Sequence, residues 1–259
     1  MRQSFRVRMS ARQLVGVFAI GVVVSLPHGL EAQAGRDSTH ALTPLTRAEV
    51  IARVAREKAD LTSADLSGVD LSGIDFNQAD LTGSKLAGAN LTKAKMFGAT
   101  LNRAQAQHAN FTGAVLDVAV MRGTNLQGAI LKEASLYATI LIGADLTNAD
   151  LTNARIIAAL TGAKLNGATL TGANLGADKG NQPMGVMFTN MTDSDLSGAN
   201  LSGADLRKVD FTRANLTGAD LTGADVSLAN FSGTILKSVR GREKMIGWDK
   251  ARNTDQAVF

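Results

Sequence analysis

Few residues of this 259-residue chain are of the types that carry catalysis or hold metals. It has no cysteine, which excludes thiol nucleophiles, Cys-ligated metal centres and disulfides. Of its three histidines, His40 and His108 lie in different segments, and neither is accompanied by a Cys or a paired Glu. Asp and Asn are frequent but recur at regular intervals, where a catalytic site would need converging groups in a concave pocket. We therefore expect no enzyme activity, no cofactor and no metal.

The first 34 residues differ from the rest of the chain. Four arginines precede an uncharged apolar run of 13 residues, Leu14 to Leu26, and the tail is Ala32-Gln33-Ala34. These three parts are typical of a secretory signal peptide. The run is shorter than the ~20 residues that a membrane-spanning helix needs. We predict cleavage after Ala34, a bacterial periplasmic or secreted location, and no stable membrane span in the mature chain.

Most of the positive charge belongs to this N-terminal segment. The whole chain has a formal net charge of +4 and a pI near 9.5. From Gly35 onward it holds 23 basic and 22 acidic residues, a net +1. A basic surface is what would attract a nucleic acid, so we expect no nucleic-acid partner for the mature protein.

The mature chain repeats every five residues. Apolar residues recur at this spacing in 34 units, and 24 of these central residues are Leu. The residue two before the centre is Ala in 25 units, and the residue directly before it is Asp or Asn in 20. Ser or Thr often follows the centre, and Gly commonly comes next. The stretch from Ala214 to Asp225 shows the pattern without substitutions.

A period of five fits neither an α-helix nor a flat sheet, whose side-chain periods are 3.6 and 2. In an extended segment the centre and the residue two before it share one side, so Leu and Ala can both point inward. Gly then supplies the positive φ of a tight turn. Each unit thus becomes a short side plus a corner, and stacked turns bury a continuous Leu and Ala interior.

The unit Ala64-Asp65-Leu66-Ser67-Gly68 resembles the pentapeptide repeat family. The resemblance implies an all-β fold, a right-handed quadrilateral β-helix with four units per turn, so that 34 units would make about 8.5 rungs. It covers most of residues 57 to 238. The functions of the family are diverse, so the resemblance predicts the fold more strongly than the role.

The remaining segments predict caps and interruptions. After a linker at 35–45, Thr46 and Glu49 form a capping box with Leu45 and Val50 as its staple, which predicts a capping helix at 46–58. The β-helix is expected over 59–238, interrupted at 176–190 by a loop or an irregular rung. One residue is also missing between Ile156 and Leu160. Residues 239–259 are expected to form a C-terminal cap, an end that forms a dimer contact in several relatives.

Two sets of residues are candidates for partner contact. If four units make a turn, apolar residues replace polar ones on the outside of the first and fourth faces. This pattern is equally compatible with a contact surface and with a degenerate repeat of modest surface apolarity. These residues are Val115, Val120, Tyr137, Ile140, Ile142 and Ile157. The loop offers a second set, Pro183, Met184, Met187 and Phe188, with a tolerated insertion as the alternative.

These observations favour an exported, non-catalytic interaction or structural protein, whose partner is another protein or a second copy in a homodimer. The alternative is a regulator resembling the quinolone-resistance pentapeptide proteins, which imitate duplex DNA and occupy gyrase. That role needs an acidic surface and a cytoplasmic location. Lys85, Lys95, Arg155 and Lys164 stand where an acidic ladder would want Asp, so this alternative is disfavoured.

Overall fold

The computed structural model describes residues 44–55, 58–177 and 187–259. The predicted signal peptide and nearly all of the linker lie outside the described residues. From residue 59 the chain winds as a right-handed four-sided β-helix, which confirms the fold that the family resemblance implies.

Each five-residue unit makes one side and one corner. In the first unit, Ala64 N–H donates to the Leu61 carbonyl at 3.0 Å and closes a four-residue turn. The third residue of this turn, Ser63, has φ 55°, and Gly68 holds the same place in the next unit with φ 68°. This left-handed φ favours glycine because glycine has no Cβ, and it explains the Gly found two positions after many centres.

Successive rungs pair through parallel β-bridges between residues that are mostly twenty positions apart. The residue before each centre makes the bridge, as Asp60 does with Asp80. Among the described residues the pairing consists of isolated bridges, one per side, with no longer strand. We number the faces by the first bridge residue of each: face 1 from Asp60, face 2 from Asp65, face 3 from Asp70 and face 4 from Asp75.

The interior is filled by the centres and by the small residues two before them. Leu, Ala, Phe and Met at these positions are almost all fully buried. Near the C-terminal end the rings form a column, in which Phe211 stacks on Phe231 at 5.5 Å and Trp248 follows Phe231 at 5.0 Å between ring centroids. Such stacking of identical inward positions supplies the apolar burial that no single unit could provide.

The N-terminal end of the β-helix is covered by helix α1, Arg47–Val54, which is shorter than the predicted 46–58. Thr46 and Glu49 make the capping box, and Val50 is fully buried in the core cluster. The backbone N–H of Leu45 donates to the Asp65 carbonyl at 2.7 Å, and the Arg47 guanidinium donates to the Asp70 carbonyl at 2.7 Å. The segment thus satisfies carbonyl groups that the first rung would otherwise leave unpaired.

Two irregularities fall on the corner that follows face 4. Arg155 and Ala159 are bridge residues of successive faces only four positions apart, so this corner has one residue fewer than the others. One rung later, Asn174 on face 4 is followed on face 1 by Asn190. Asn190 pairs with Ala159, so the β-helix resumes without losing a rung. The interruption is therefore an insertion at a corner, and residues 178–186 of it lie outside the described residues.

The C-terminal segment continues the β-helix, which corrects the expected cap at 239–259. Its bridge residues Arg240, Ile246, Arg252 and Val258 are six positions apart and pair with Asp220, Asp225, Asn230 and Ile235. Three 3₁₀-helices, Arg242–Lys244, Trp248–Lys250 and Thr254–Gln256, form the corners, and each begins after a left-handed residue. The extra residue in each side lengthens the corner into a 3₁₀ turn.

Candidate interaction surface

The described residues form no cluster of the kind that holds a metal ion. Within 44–55, 58–177 and 187–259, no group of three or more His, Cys, Asp or Glu side chains could hold a metal ion. His108 lies at the corner after face 2, and its ring occupies the space beside Gly128 that a Cβ at that position would need. No helix in the part of the chain that the structure describes is long and apolar enough to cross a membrane.

The regular Asp and Asn residues have a structural task. Asp65 Oδ1 accepts the backbone N–H of Ser67 at 3.1 Å, and Asp80 Oδ1 accepts that of Thr82 at 2.9 Å. Each such carboxylate caps the turn that it begins. The Ser67 hydrogen bonds, assisted by the charge of Lys85, lower the pKa of Asp65 below its ordinary value. These acids therefore stabilise corners.

The lysines that interrupt the acidic columns are paired with acids one rung away. Lys85 Nζ lies 3.6 Å from the Asp65 carboxylate, Lys95 Nζ 3.9 Å from that of Asp75, and the corresponding distance for Lys164 and Asp145 is 3.7 Å. Exposed pairs of this kind contribute little stability each. Their effect here is to neutralise the faces.

The predicted apolar residues lie mostly around the corner that follows face 4. We call this surface the aliphatic corner and define it by Phe97, Val115, Val118, Val120, Tyr137, Ile140 and Ile142. Phe97, Val115 and Val118 are exposed, with Phe97 at 47%, and the other four are half-buried. Val115 lies on face 4, whereas Val120 and Ile140 are paired on face 1. Four of the six predicted patch residues thus lie at this corner or on the faces beside it, and Ile142 lies at the next corner, after face 1.

Hydrogen bonds at the aliphatic corner come from the neighbouring rung. The bridge residues before Phe97 and Arg122 are Lys95 and Val120, which do not cap the turn. Instead Asn77 Oδ1 accepts the Phe97 N–H at 2.8 Å. At the adjacent corner, after face 1, Asn102 Oδ1 likewise accepts the Arg122 N–H at 3.0 Å.

Asp117 does the same for Tyr137. Its Oδ1 accepts the Tyr137 N–H at 3.0 Å and the Ser135 hydroxyl at 2.5 Å. The Arg155 guanidinium also lies over the Tyr137 ring, 4.3 Å from its centroid. Because a side chain of the neighbouring rung accepts the turn N–H, the bridge position need not be Asp or Asn.

Ile157 corrects one prediction, since it is 2% exposed and does not point into solvent. The corner that contains it has a single residue and cannot form the usual two-residue turn. Ile157 therefore lies between the inward-facing Ile156 and Ala158 and is buried with them.

The insertion approaches this same place. Ile140 and Ile157 line a pocket of about 250 Å³ together with Met187 and Phe188 from the end of the loop. Patch and loop candidates thus meet at one corner. Phe188 is 49% exposed. Pro183 and Met184, the other two predicted loop contacts, lie outside the described residues.

Sequence reasoning missed the turn residues of this corner as a set. Val118 and Leu228 both have φ 62°. Glycine adopts this conformation freely, whereas it is a clear outlier for a β-branched residue such as Val or a bulky one such as Leu. Both are also exposed, at 44% and 45%. The signal was present in the repeat, as an apolar residue where the pattern has Gly.

Known proteins share this repeat. The sequence model described as "Pentapeptide repeats" matches eight copies, over residues 59–98, 99–136, 129–157 and 194–233. Among curated protein sequences, none matches the chain significantly.

Several solved structures are similar. HetL of Nostoc sp. strain PCC 7120, a pentapeptide repeat protein involved in heterocyst differentiation regulation, is 26% identical with a TM-score of 0.43, over 83% of this chain and 94% of HetL. A pentapeptide repeat protein of the Arabidopsis thaliana thylakoid lumen is 28% identical with a TM-score of 0.21, over 55% of this chain and 68% of that one. Full-length QnrB1, a plasmid-mediated fluoroquinolone resistance protein, is 20% identical with a TM-score of 0.29, over 68% of this chain and 92% of QnrB1.

The matched repeats extend over more than half of the sequence, and they coincide with rungs whose bridges and corner turns repeat every five residues. The chain belongs to the pentapeptide repeat family.

Proposed function

We propose that this protein is an exported, non-catalytic interaction module that binds another protein, or a second copy of itself, through the aliphatic corner. The observation that carries the proposal is Val118. It holds a left-handed φ of 62° and is 44% exposed. A bulky residue in this conformation costs about 1–3 kcal/mol, and its exposure leaves little packing to offset that cost. Because packing inside the protein does not offset this strain, we infer that Val118 is retained for contact with a partner.

The surroundings of Val118 support the proposal. Val115 on one side is 39% exposed, and Phe97 in the preceding rung is 47% exposed. Val120 and Ile140 extend the apolar surface onto face 1. Single exposed apolar residues are ordinary on a protein surface, whereas contiguous ones mark interaction sites.

Export rests on the sequence of residues 1–34, with its basic head, 13-residue apolar run and Ala-Gln-Ala tail. The alternative, a DNA-imitating regulator of a topoisomerase such as gyrase, requires a continuous acidic surface. Lys85, Lys95 and Lys164 neutralise their acidic neighbours on faces 2 and 4, which disfavours that alternative. Finding the protein in the exported fraction with Gly35 as its first residue would support export, and an intact Met1 in the cytoplasm would contradict it.

A pair of matched variants tests the interaction. The double variant Val115→Asp/Ile140→Asp places charge on the aliphatic corner, and Ile130→Asp is the control because Ile130 is 37% exposed at an equivalent bridge position on face 3. We expect the double variant to lose self-association in analytical ultracentrifugation or to lose capture of a partner from the exported fraction. The control should keep both. Equal association of wild type and double variant, or equal loss in both variants, would refute the proposed surface.

A further inference from the structure

A second feature lies on the same side of the β-helix, closer to its C-terminal end. Phe188, Lys208, Leu228 and Arg252 line a pocket of about 330 Å³, which we call the basic pocket. Phe188 and Leu228 are 49% and 45% exposed and provide its apolar walls. Volumes of this size are within the lower range of small-molecule sites.

The charge of the basic pocket is uncompensated by its lining. None of the four described lining residues is acidic, and two are cations. Arg252 Nε donates to the Leu228 carbonyl at 3.1 Å, which fixes the guanidinium beside the apolar wall.

Three carboxylates of the adjoining rungs are bound by other arginines. Arg207 is paired with Asp205 and lies 3.8 Å from the Asp225 carboxylate, while Asp193 is bound by Arg213 at 2.7 Å. The Arg213 hydrogen bonds and charge hold the pKa of Asp193 below its ordinary value, so this acid stays ionised in that pair. Among the described lining residues, an anion that enters the basic pocket would thus meet two cations and no carboxylate.

Backbone strain again accompanies the exposed side chains. Lys208 and Leu228 occupy the left-handed turn position of successive rungs, with φ 64° and 62°. Gly203 and Gly223 occupy the corresponding position after face 3 in the same rungs, at φ 64° and 70°. Glycine would be less strained than Lys208 or Leu228 at these positions. These two side chains nevertheless supply two of the four described lining residues of the pocket.

We propose that the basic pocket binds a small free carboxylate that carries an apolar body, such as a medium-chain fatty acid. The carboxylate would lie against Arg252 and Lys208, since a guanidinium forms strong charge-assisted hydrogen bonds with carboxylates. The apolar body would lie between Phe188 and Leu228, removing their exposed surface from water. None of its four described lining residues belongs to the aliphatic corner, although Phe188 also contacts the pocket beside Ile140.

Octanoate is the probe. 1-Octanol, which has the alkyl chain without the carboxylate, and acetate, which has the carboxylate without the long chain, are the comparison ligands. We expect the full chain to bind octanoate in isothermal titration calorimetry more tightly than either, and octanoate to shift the Leu228 methyl signals in an NMR spectrum. Lys208→Gln and Arg252→Gln should each weaken octanoate binding about tenfold, as loss of a hydrogen bond to a charged group does. Lys237→Gln removes an exposed charge outside the pocket and should change nothing.

The controls separate the site from general surface adsorption. Equal octanoate affinity in wild type and Arg252→Gln, equal affinity for 1-octanol, or no binding at all would overturn the assignment. Unchanged thermal unfolding of the charge variants shows that each is folded. Octanoate binding retained in Val115→Asp, which changes no residue beside Phe188, keeps this result independent of the partner surface.

Discussion

Two corners of the β-helix have the same backbone and different side chains. After face 2, the left-handed turn position is held mainly by glycine, as at Gly88 and Gly128 with φ 66° and 63°. After face 4 it is held by Gln78, Gly98, Val118, Ala138, Lys208 and Leu228, with φ between 57° and 65°. The fold therefore requires the left-handed turn at both corners but dictates the residue at neither. The proposed contact surface lies at the corner where Val118 holds this position and is exposed.

The two corners also differ in how their turns are capped. Asp65 and Asp145 on face 2 cap their own turns through the N–H of the residue two positions later. At the aliphatic corner, Asn77 and Asp117 cap the turn of the next rung instead, and Asn102 does the same at the adjacent corner after face 1. This relocation allows Val120 to occupy a bridge position without leaving the Arg122 N–H unpaired, so an apolar surface is compatible with a fully bonded backbone.

The largest expected effect tests whether the difference stops at the surface. Leu136 on face 4 and Leu126 on face 2 are both completely buried. Replacing either by Ala should lower the free energy of unfolding by about 3 kcal/mol, because a cavity is left in a packed stack. Urea denaturation followed by circular dichroism measures both. A much smaller loss at Leu136 would show that the core beneath the aliphatic corner is itself weak.

A reciprocal exchange of turn residues tests the strain directly. A Cβ at Gly88 would meet no heavy atom within 4 Å, so Gly88→Val reports the backbone conformation alone and should lower the free energy of unfolding by about 1–3 kcal/mol. Val118→Gly should raise it by about 1 kcal/mol. The same denaturation measurement serves both variants. If Val118→Gly destabilised the protein, Val118 would be a packing residue and the case for a contact surface would weaken.

The two capping arrangements should be of similar strength. Asp80→Ala removes the acceptor of the Thr82 N–H, and Asn77→Ala that of the Phe97 N–H. Each should cost about 1 kcal/mol of unfolding free energy. The matched exposed change Lys237→Ala is the control, with little expected effect. A cost confined to Asp80→Ala would mean that cross-rung caps do not stabilise the aliphatic corner.

The repeat and its inward residues could be read from the sequence because the five-residue period acts on the core and the turn together. The burial of Ile157 could not be predicted. Its corner lacks one residue, and the direction of its side chain then depends on how it packs with Ile156 and Ala158 in the folded chain. The last rung was missed because its period changes to six, although Gly241, Gly247 and Asn253 mark that period in the sequence. Lys208 and Arg252 are 44 positions apart and meet only through the stacking of rungs.

The smallest expected effect distinguishes the corners by their titration. Hydrogen bonds from Ser67, together with the Lys85 charge, lower the pKa of Asp65 in the folded protein. Because the unfolded chain then binds more protons, this stabilisation is present above the ordinary Asp pKa of about 3.9 and is lost as the pH falls through the lower folded value. Asp65→Asn keeps an oxygen acceptor but not the proton site, so it should reduce the acid-induced loss of stability. Asn77→Asp should add such a loss at the aliphatic corner, where Asn77 caps the Phe97 N–H without titrating. Unfolding curves between pH 7 and about 3 measure the slope, and identical slopes for all three proteins would show that these caps do not contribute to acid stability.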